Sequence, residues 1–146
     1  MKKFLIHVLD RTPLDSEGVK YCLGEIQIGS FKETFRMPLD FWSIEQYEEQ
    51  WKEGIERLKT YDTSCLVMMV QGPGPEMQPW AKLWMIYNVG GEIYMKDAII
   101  LSSYFKKVYK DRPFTPQTCY SLISKRGDGA QKWDVDLQDL LRFVDA

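Results

Sequence analysis

The sequence predicts an α+β fold: an antiparallel sheet of about six strands, a central amphipathic helix packed on it, and a short C-terminal helix. Three observations carry this. Apolar runs of strand length are joined by two-residue turns that contain glycine, as in hairpins. One segment, residues 43–58, repeats its apolar residues at helical spacing. Strands and helices are also set apart, whereas a parallel α/β sheet needs them to alternate regularly.

Residues 3–9 open as a strand with Phe4, Ile6 and Val8 on one face. Arg11-Thr12-Pro13-Leu14-Asp15-Ser16-Glu17-Gly18 reads as a polar turn. A second strand runs over residues 19–28. Gly29-Ser30 then leads into a third, residues 31–36, and glycine first in a two-residue loop fits a type II′ turn. Pro38 and Asp40 punctuate the exit from this meander.

The helix follows. Ser43 is a good N-cap, and Gln46 three residues on completes a capping box. Ile44, Tyr47, Trp51, Ile55 and Leu58 form one apolar stripe. Glu45, Glu48, Glu49, Lys52, Glu53, Glu56 and Arg57 occupy the other faces. Acidic residues at the start and basic ones at the end suit the helix dipole. Glu48–Lys52 and Glu53–Arg57 are spaced for i,i+4 ion pairs. Gly54 costs helix propensity of up to about 1 kcal/mol against alanine, which close packing can offset.

Strands return with the apolar run of residues 64–71. Gly72-Pro73-Gly74-Pro75 marks a loop. Residues 80–88 alternate weakly, and Gly90-Gly91 joins them to residues 92–96 in a second hairpin. Residues 98–109 stay open: Ala98-Ile99-Ile100-Leu101 suits a strand, while Tyr104–Val108 and Phe105–Tyr109 spacings suit a helix. Arg112-Pro113-Phe114-Thr115-Pro116 breaks whatever precedes it. Residues 118–123 read as a short strand and residues 125–129 as a loop. The last helix starts near Asp136, with Leu137, Leu140, Leu141 and Val144 on one side.

A chain of 146 residues suits one domain, residues 1–146. Apolar residues at 45% and charged residues at 27% are globular values and argue against disorder. The net charge of −2 lacks the basic surplus of a nucleic-acid binder, so no direct nucleic-acid partner is expected. No apolar run reaches the roughly 18 residues of a membrane span. The basic start, Met1-Lys2-Lys3, is followed by an apolar stretch that ends at Asp10 without a small-residue cleavage site. A cytoplasmic location is therefore expected. The oligomeric state is not legible.

Catalytic signatures are sparse. His7 is the single histidine and no motif accompanies it, so it reads as a strand residue. Cys22, Cys65 and Cys119 are odd in number and widely spaced, which fits buried reduced thiols better than a disulfide framework or a zinc knuckle. Gly72-Pro73-Gly74-Pro75 lacks the Lys-Ser/Thr of a phosphate loop, and its prolines remove amides that would bind phosphate. Asp134 and Asp136, or Glu48 and Glu49, could pair as in glycosidases, but sit in ordinary surface contexts. No metal site, cofactor or enzymatic activity is expected.

Two features have double readings. The acidic helix face is either a solvated face or a surface that docks a basic partner, in which case acidic side chains stand in for the phosphates a nuclease expects. Trp80, Trp84 and Tyr87 are either core or interface anchors. Met68, Met69, Met77, Met85 and Met95 read as core filler.

The stretch Met37-Pro38-Leu39-Asp40-Phe41-Trp42-Ser43-Ile44-Glu45-Gln46-Tyr47-Glu48-Glu49-Gln50-Trp51-Lys52-Glu53-Gly54-Ile55-Glu56-Arg57-Leu58 resembles the central part of bacterial immunity proteins from contact-dependent growth inhibition and related polymorphic-toxin systems. Gly91-Glu92-Ile93-Tyr94, Pro113-Phe114-Thr115-Pro116 and Asp128-Gly129-Ala130-Gln131-Lys132-Trp133-Asp134-Val135 extend the resemblance in matching order. It implies a cytosolic protein that binds a cognate toxin domain, often a nuclease, and blocks its active site. It implies neither catalysis nor a cofactor. The partner-binding residues expected on the helix are Glu45, Glu48, Glu49 and Glu53. The alternative is a small enzyme or ligand-binding domain with a pocket between sheet and helix, near Trp80, Trp84 and His7.

Overall fold

The computed structural model describes residues 3–71, 80–100, 115–123 and 129–145. The Gly72-Pro73-Gly74-Pro75 loop, Met77, the helical option at residues 104–109, the break at Arg112-Pro113-Phe114 and the loop at residues 125–128 lie outside them. The elements are β1 (Phe4–Ser16), β2 (Val19–Ile28), β3 (Phe31–Pro38), α1 (Ile44–Arg57), β4 (Thr63–Gln71), β5 (Trp80–Val89), β6 (Glu92–Ile100), a 3-10 turn (Cys119–Leu122), β7 (Gln131–Asp136) and α2 (Leu137–Asp145). The fold is α+β and its strands pair antiparallel, as the sequence predicts. Among the described residues the strands number seven rather than about six, and they divide into two sheets, ordered β1-β2-β3 and β4-β5-β6-β7.

Turn chemistry explains the hairpins. Gly29 has φ +63° while Ser30 stays out of the left-handed region, which is the type II′ pattern expected. Gly90 and Gly91, at +62° and +91°, are both left-handed and make a type I′ turn. The turn between β1 and β2 is shorter than the sequence suggests. Glu17 and Gly18 alone make it, with φ of +54° and +81°, and β1 runs on to Ser16. Of the predicted turn residues, Leu14, Asp15 and Ser16 instead pair with Tyr21, Lys20 and Val19 of β2, beyond register shifts on either side of Asp10. Pro13 falls inside the shifted stretch, where it donates no ladder hydrogen bond, and the Asp10 carboxylate accepts the Thr12 N–H at 2.9 Å.

One further reading is corrected. Residues 118–123 hold a 3-10 turn, not a strand. Thr115 N–H donates to Thr118 Oγ1 at 2.9 Å and that hydroxyl donates back to Thr115 O at 3.1 Å, so local bonds outcompete a ladder. Strand β7 was not legible, because Val135 alone among its six residues is buried. Ala98 to Ile100 continue β6, so the strand option holds there. Helix α2 starts where expected, capped by reciprocal 2.9 Å bonds between Asp136 and Asp139.

The core lies between the sheets and under both helices. Trp84 and Tyr87 are buried, which supports the core reading, as are Met68, Met85 and Met95; Met69 is half-buried. All three cysteines are free and buried. Phe31, Trp84 and Trp133 stack edge to face or tilted across the two sheets, with centroids 5.2–6.0 Å apart. Phe143 of α2 meets Phe4 edge-on at 5.7 Å.

Helix α1 closes the outer edge of β4. Its side chains take the places a neighbouring strand would fill. Arg57 Nε donates to Thr63 O at 3.0 Å, Gln50 Nε2 to Cys65 O at 2.7 Å and Trp51 Nε1 to Val67 O at 2.7 Å. Gln50 Oε1 accepts the Val67 N–H at 2.7 Å, and the Tyr47 hydroxyl accepts the Val70 N–H at 3.0 Å while donating to Pro38 O at 2.8 Å. An open strand edge is thereby satisfied by a helix. Gly54 makes this approach possible: a Cβ there would stand 2.5 Å from Cys65 O.

Candidate partner-binding face

Anchoring one side of α1 fixes what the other side shows. Tyr47, Gln50, Trp51, Gly54 and Ile55 are buried. Ser43 and Gln46 form the predicted capping box, with bonds of 3.2 Å and 2.9 Å, and set the helix start. Glu45 and Glu49 are then exposed, and Glu48 and Glu53 half-buried, on the outward side. The structure brings all four expected residues together on one face.

It also adds two residues that sequence reasoning missed. Arg11 of β1 reaches Glu48 at 2.9 Å and Glu45 at 3.6 Å. Gln117 donates to the Glu49 carboxylate. These partners are 37 and 68 positions away from the carboxylates they meet, so no local pattern announces them. They divide the face. Arg11 partly offsets the charge of Glu45 and Glu48, while Glu49 and Glu53 meet each other and the Gln117 amide. Burial pushes the Glu53 carboxyl above its usual range, and the neighbouring Glu49 charge adds to this. The two predicted i,i+4 pairs do not close among the described residues. Glu48 turns to Arg11, and Arg57 bonds Thr63 O and lies over the Tyr61 and Tyr120 rings at 4.1 Å and 4.6 Å.

His7 pairs with Glu25 directly across the β1–β2 ladder, Nε2 to Oε1 at 3.1 Å, and remains half-exposed. It lines a cleft of about 370 Å³ with Ile6, Glu48, Trp51, Lys52, Phe143 and Val144. The cleft thus lies between β1, α1 and α2. Neither Trp80 nor Trp84 lines it, so the three residues of the alternative pocket are not brought together. Among the described residues, no three His, Cys, Asp or Glu side chains are grouped to hold a metal ion, and no helix is long and apolar enough to cross a membrane.

Fold and face define an α+β protein that presents an acidic helix braced against a sheet edge. Residues 37–143 match the family described as the CdiI N-terminal domain, and the chain belongs to that family. The match begins at Met37, where the resemblance read from the sequence also begins. Immunity protein CdiI of Enterobacter cloacae is 25% identical over 138 residues, which cover 90% of this chain and 90% of that protein. The solved CdiA-CT/CdiI toxin and immunity complex from Enterobacter cloacae contains a chain of the same fold. It has a TM-score of 0.74 at 24% identity and covers 97% of this chain and 96% of that one.

Proposed function

We propose that this chain is an immunity protein that binds a cognate toxin domain in the cytoplasm and neutralises it by covering the toxin's active site. It acts as a single domain over residues 1–146, without catalysis and without a cofactor. The observation that carries this reading is the family match over residues 37–143, which spans the whole of α1. A relative bearing the name immunity protein, and a fold neighbour solved as a toxin and immunity complex, support it.

The docking surface is the acidic face of Glu45, Glu48, Glu49 and Glu53. Its chemistry fits a partner with a basic cleft, and a nuclease is the toxin class that has one, because it binds phosphates. Carboxylates in place of phosphates would fill that cleft and speed association by charge complementarity. The test is co-expression with a candidate cognate toxin domain, scored by survival and co-purification. A folded chain that neither protects nor co-purifies sinks the reading.

The cleft beside His7 supports a second reading, a ligand-binding or enzymatic role. Replacing His7 by Ala separates the two: an inhibitor still protects, and an enzyme using the imidazole loses its turnover.

A further inference from the structure

Cys65 and Cys119 are 54 positions apart in the chain, yet their sulfurs stand 3.8 Å apart in the core. Both are fully buried. Closing to a disulfide bond length of about 2.05 Å asks for a shift of about 1.8 Å. The third thiol, Cys22, lies in the other sheet, with its sulfur directed at Arg11 O.

The two thiols sit in unlike surroundings. Cys65 is on β4, paired with Met85 of β5 on one side and bonded by Gln50 on the other. Cys119 is on the inner side of a surface segment whose Gln117 and Ser121 are exposed. The backbone hydrogen bonds described for that segment run within it, from Thr118 to Thr115, Ser121 to Thr118 and Ile123 to Tyr120. Side chains alone, Cys119 and Leu122 in the core, Tyr120 under Arg57 and Gln117 at Glu49, tie it to the rest in the contacts described, and a segment outside the backbone ladder opens locally more readily than a strand within one.

We propose that Cys65 and Cys119 form a disulfide when the protein meets a low-molecular-weight disulfide, so that residues 115–123 act as a redox-closed clasp on β4. Opening of the segment exposes Cys119. Its thiolate, having lost a proton to water, attacks one sulfur of the small disulfide. A mixed disulfide forms, and the other half leaves as a thiolate that takes up a proton. As the segment swings back, with water still reaching β4, Cys65 gives its proton to water and attacks Cys119 Sγ, and the second half leaves as a thiolate that takes up a proton. The protein loses two hydrogens and the small disulfide is reduced to two thiols. In the closed reduced form, the hydrogen bond with Cys119 and burial both keep the Cys65 thiol protonated, so exchange proceeds through opening. The bond ties a long loop and restricts the unfolded chain. It also fixes Gln117 beside Glu49. The inference does not depend on the partner reading.

The test uses the intact reduced protein and millimolar oxidised glutathione at mildly alkaline pH. The expected product has lost two hydrogens in its intact mass and yields a linked Cys65–Cys119 peptide on non-reducing digestion. Both thiols then resist alkylation after unfolding, while Cys22 still reacts. The oxidised protein melts at a higher temperature, and a reductant reverses the shift. Cys22→Ser oxidises like the parent, and Cys119→Ser does not lose the hydrogens. Stable glutathione adducts alone, a bridge involving Cys22, or no oxidation at all would each overturn the proposal. Peptide mapping of the unmodified chain decides this even if a serine variant fails to fold.

Discussion

Gln50 and Val67 are joined by a buried hydrogen bond in which the helix side-chain oxygen accepts the strand N–H at 2.7 Å. The same amide donates to Cys65 O, two residues along the same strand edge. An amide carries a donor and an acceptor, as a peptide group does, so one Gln stands in for a missing strand neighbour. The bond also sets the rotation of α1. With Gln50 turned to β4, residues Glu45, Glu48, Glu49 and Glu53 have to face outward.

Gln50→Leu keeps the bulk and removes both bonds. Cys65 O and Val67 N–H are then left buried and unpaired. The expected loss is about 2–6 kcal/mol, from about 1–3 kcal/mol for each of the two orphaned groups. Urea unfolding measures it, and a loss below about 0.5 kcal/mol would mean that water or a shifted backbone replaces the amide.

Gly54→Ala separates propensity from packing. Alanine favours a helix over glycine by about 1 kcal/mol. Here the added methyl would meet Cys65 O at 2.5 Å, a backbone atom held by Gln50. Overpacking of this kind costs about 1–3 kcal/mol, so the variant is expected to be less stable despite its propensity gain. A rise in the unfolding midpoint would show that helix and strand can separate freely.

The parts of this architecture written in local pattern were legible. The Ser43–Gln46 capping box, the stripe of Tyr47, Trp51 and Ile55, and the Gly29 and Gly90-Gly91 turns each lie within one helical turn or one hairpin. The division into two sheets was not, because it rests on polar side chains of α1 meeting an edge of β4 across 15 to 23 positions. Gln50 was invisible for a related reason. A polar residue on an apolar stripe reads as a gap until its partners are known. The four carboxylates were found together because they share one helix, whereas Arg11 and Gln117 arrive from distant segments.

Reversing Glu45, Glu48, Glu49 and Glu53 to Lys together tests the proposed docking face. The side chains are exposed or half-buried, so the variant is expected to fold and unfold near the parent's midpoint. Protection of cells carrying the toxin is expected to fall, mainly through slower association. Toxin binding by the parent is expected to weaken as salt rises, and that of the variant to respond far less. A folded quadruple variant that binds as tightly as the parent rejects this face while leaving the immunity function standing.

Glu53 gives the face a pH dependence whose sign can be worked out. Its folded carboxyl titrates above the ordinary value of 4.5, first because burial disfavours the charge and then because Glu49 repels it. Between that value and the raised one, the folded chain keeps a proton the unfolded chain has lost. Stability therefore falls as pH rises through this window, and above it the cost stays constant. Glu53→Gln removes the charge and keeps the shape. Its unfolding midpoint is expected to exceed the parent's at neutral pH, with the difference shrinking as pH falls below the ordinary carboxylate range. Glu49→Gln in the same background is expected to reduce the difference, since it removes the second cause. Denaturant melts across the acid range measure both, and a difference that stays flat with pH, or favours the parent at neutral pH, would show that the bond from Gln117 outweighs burial.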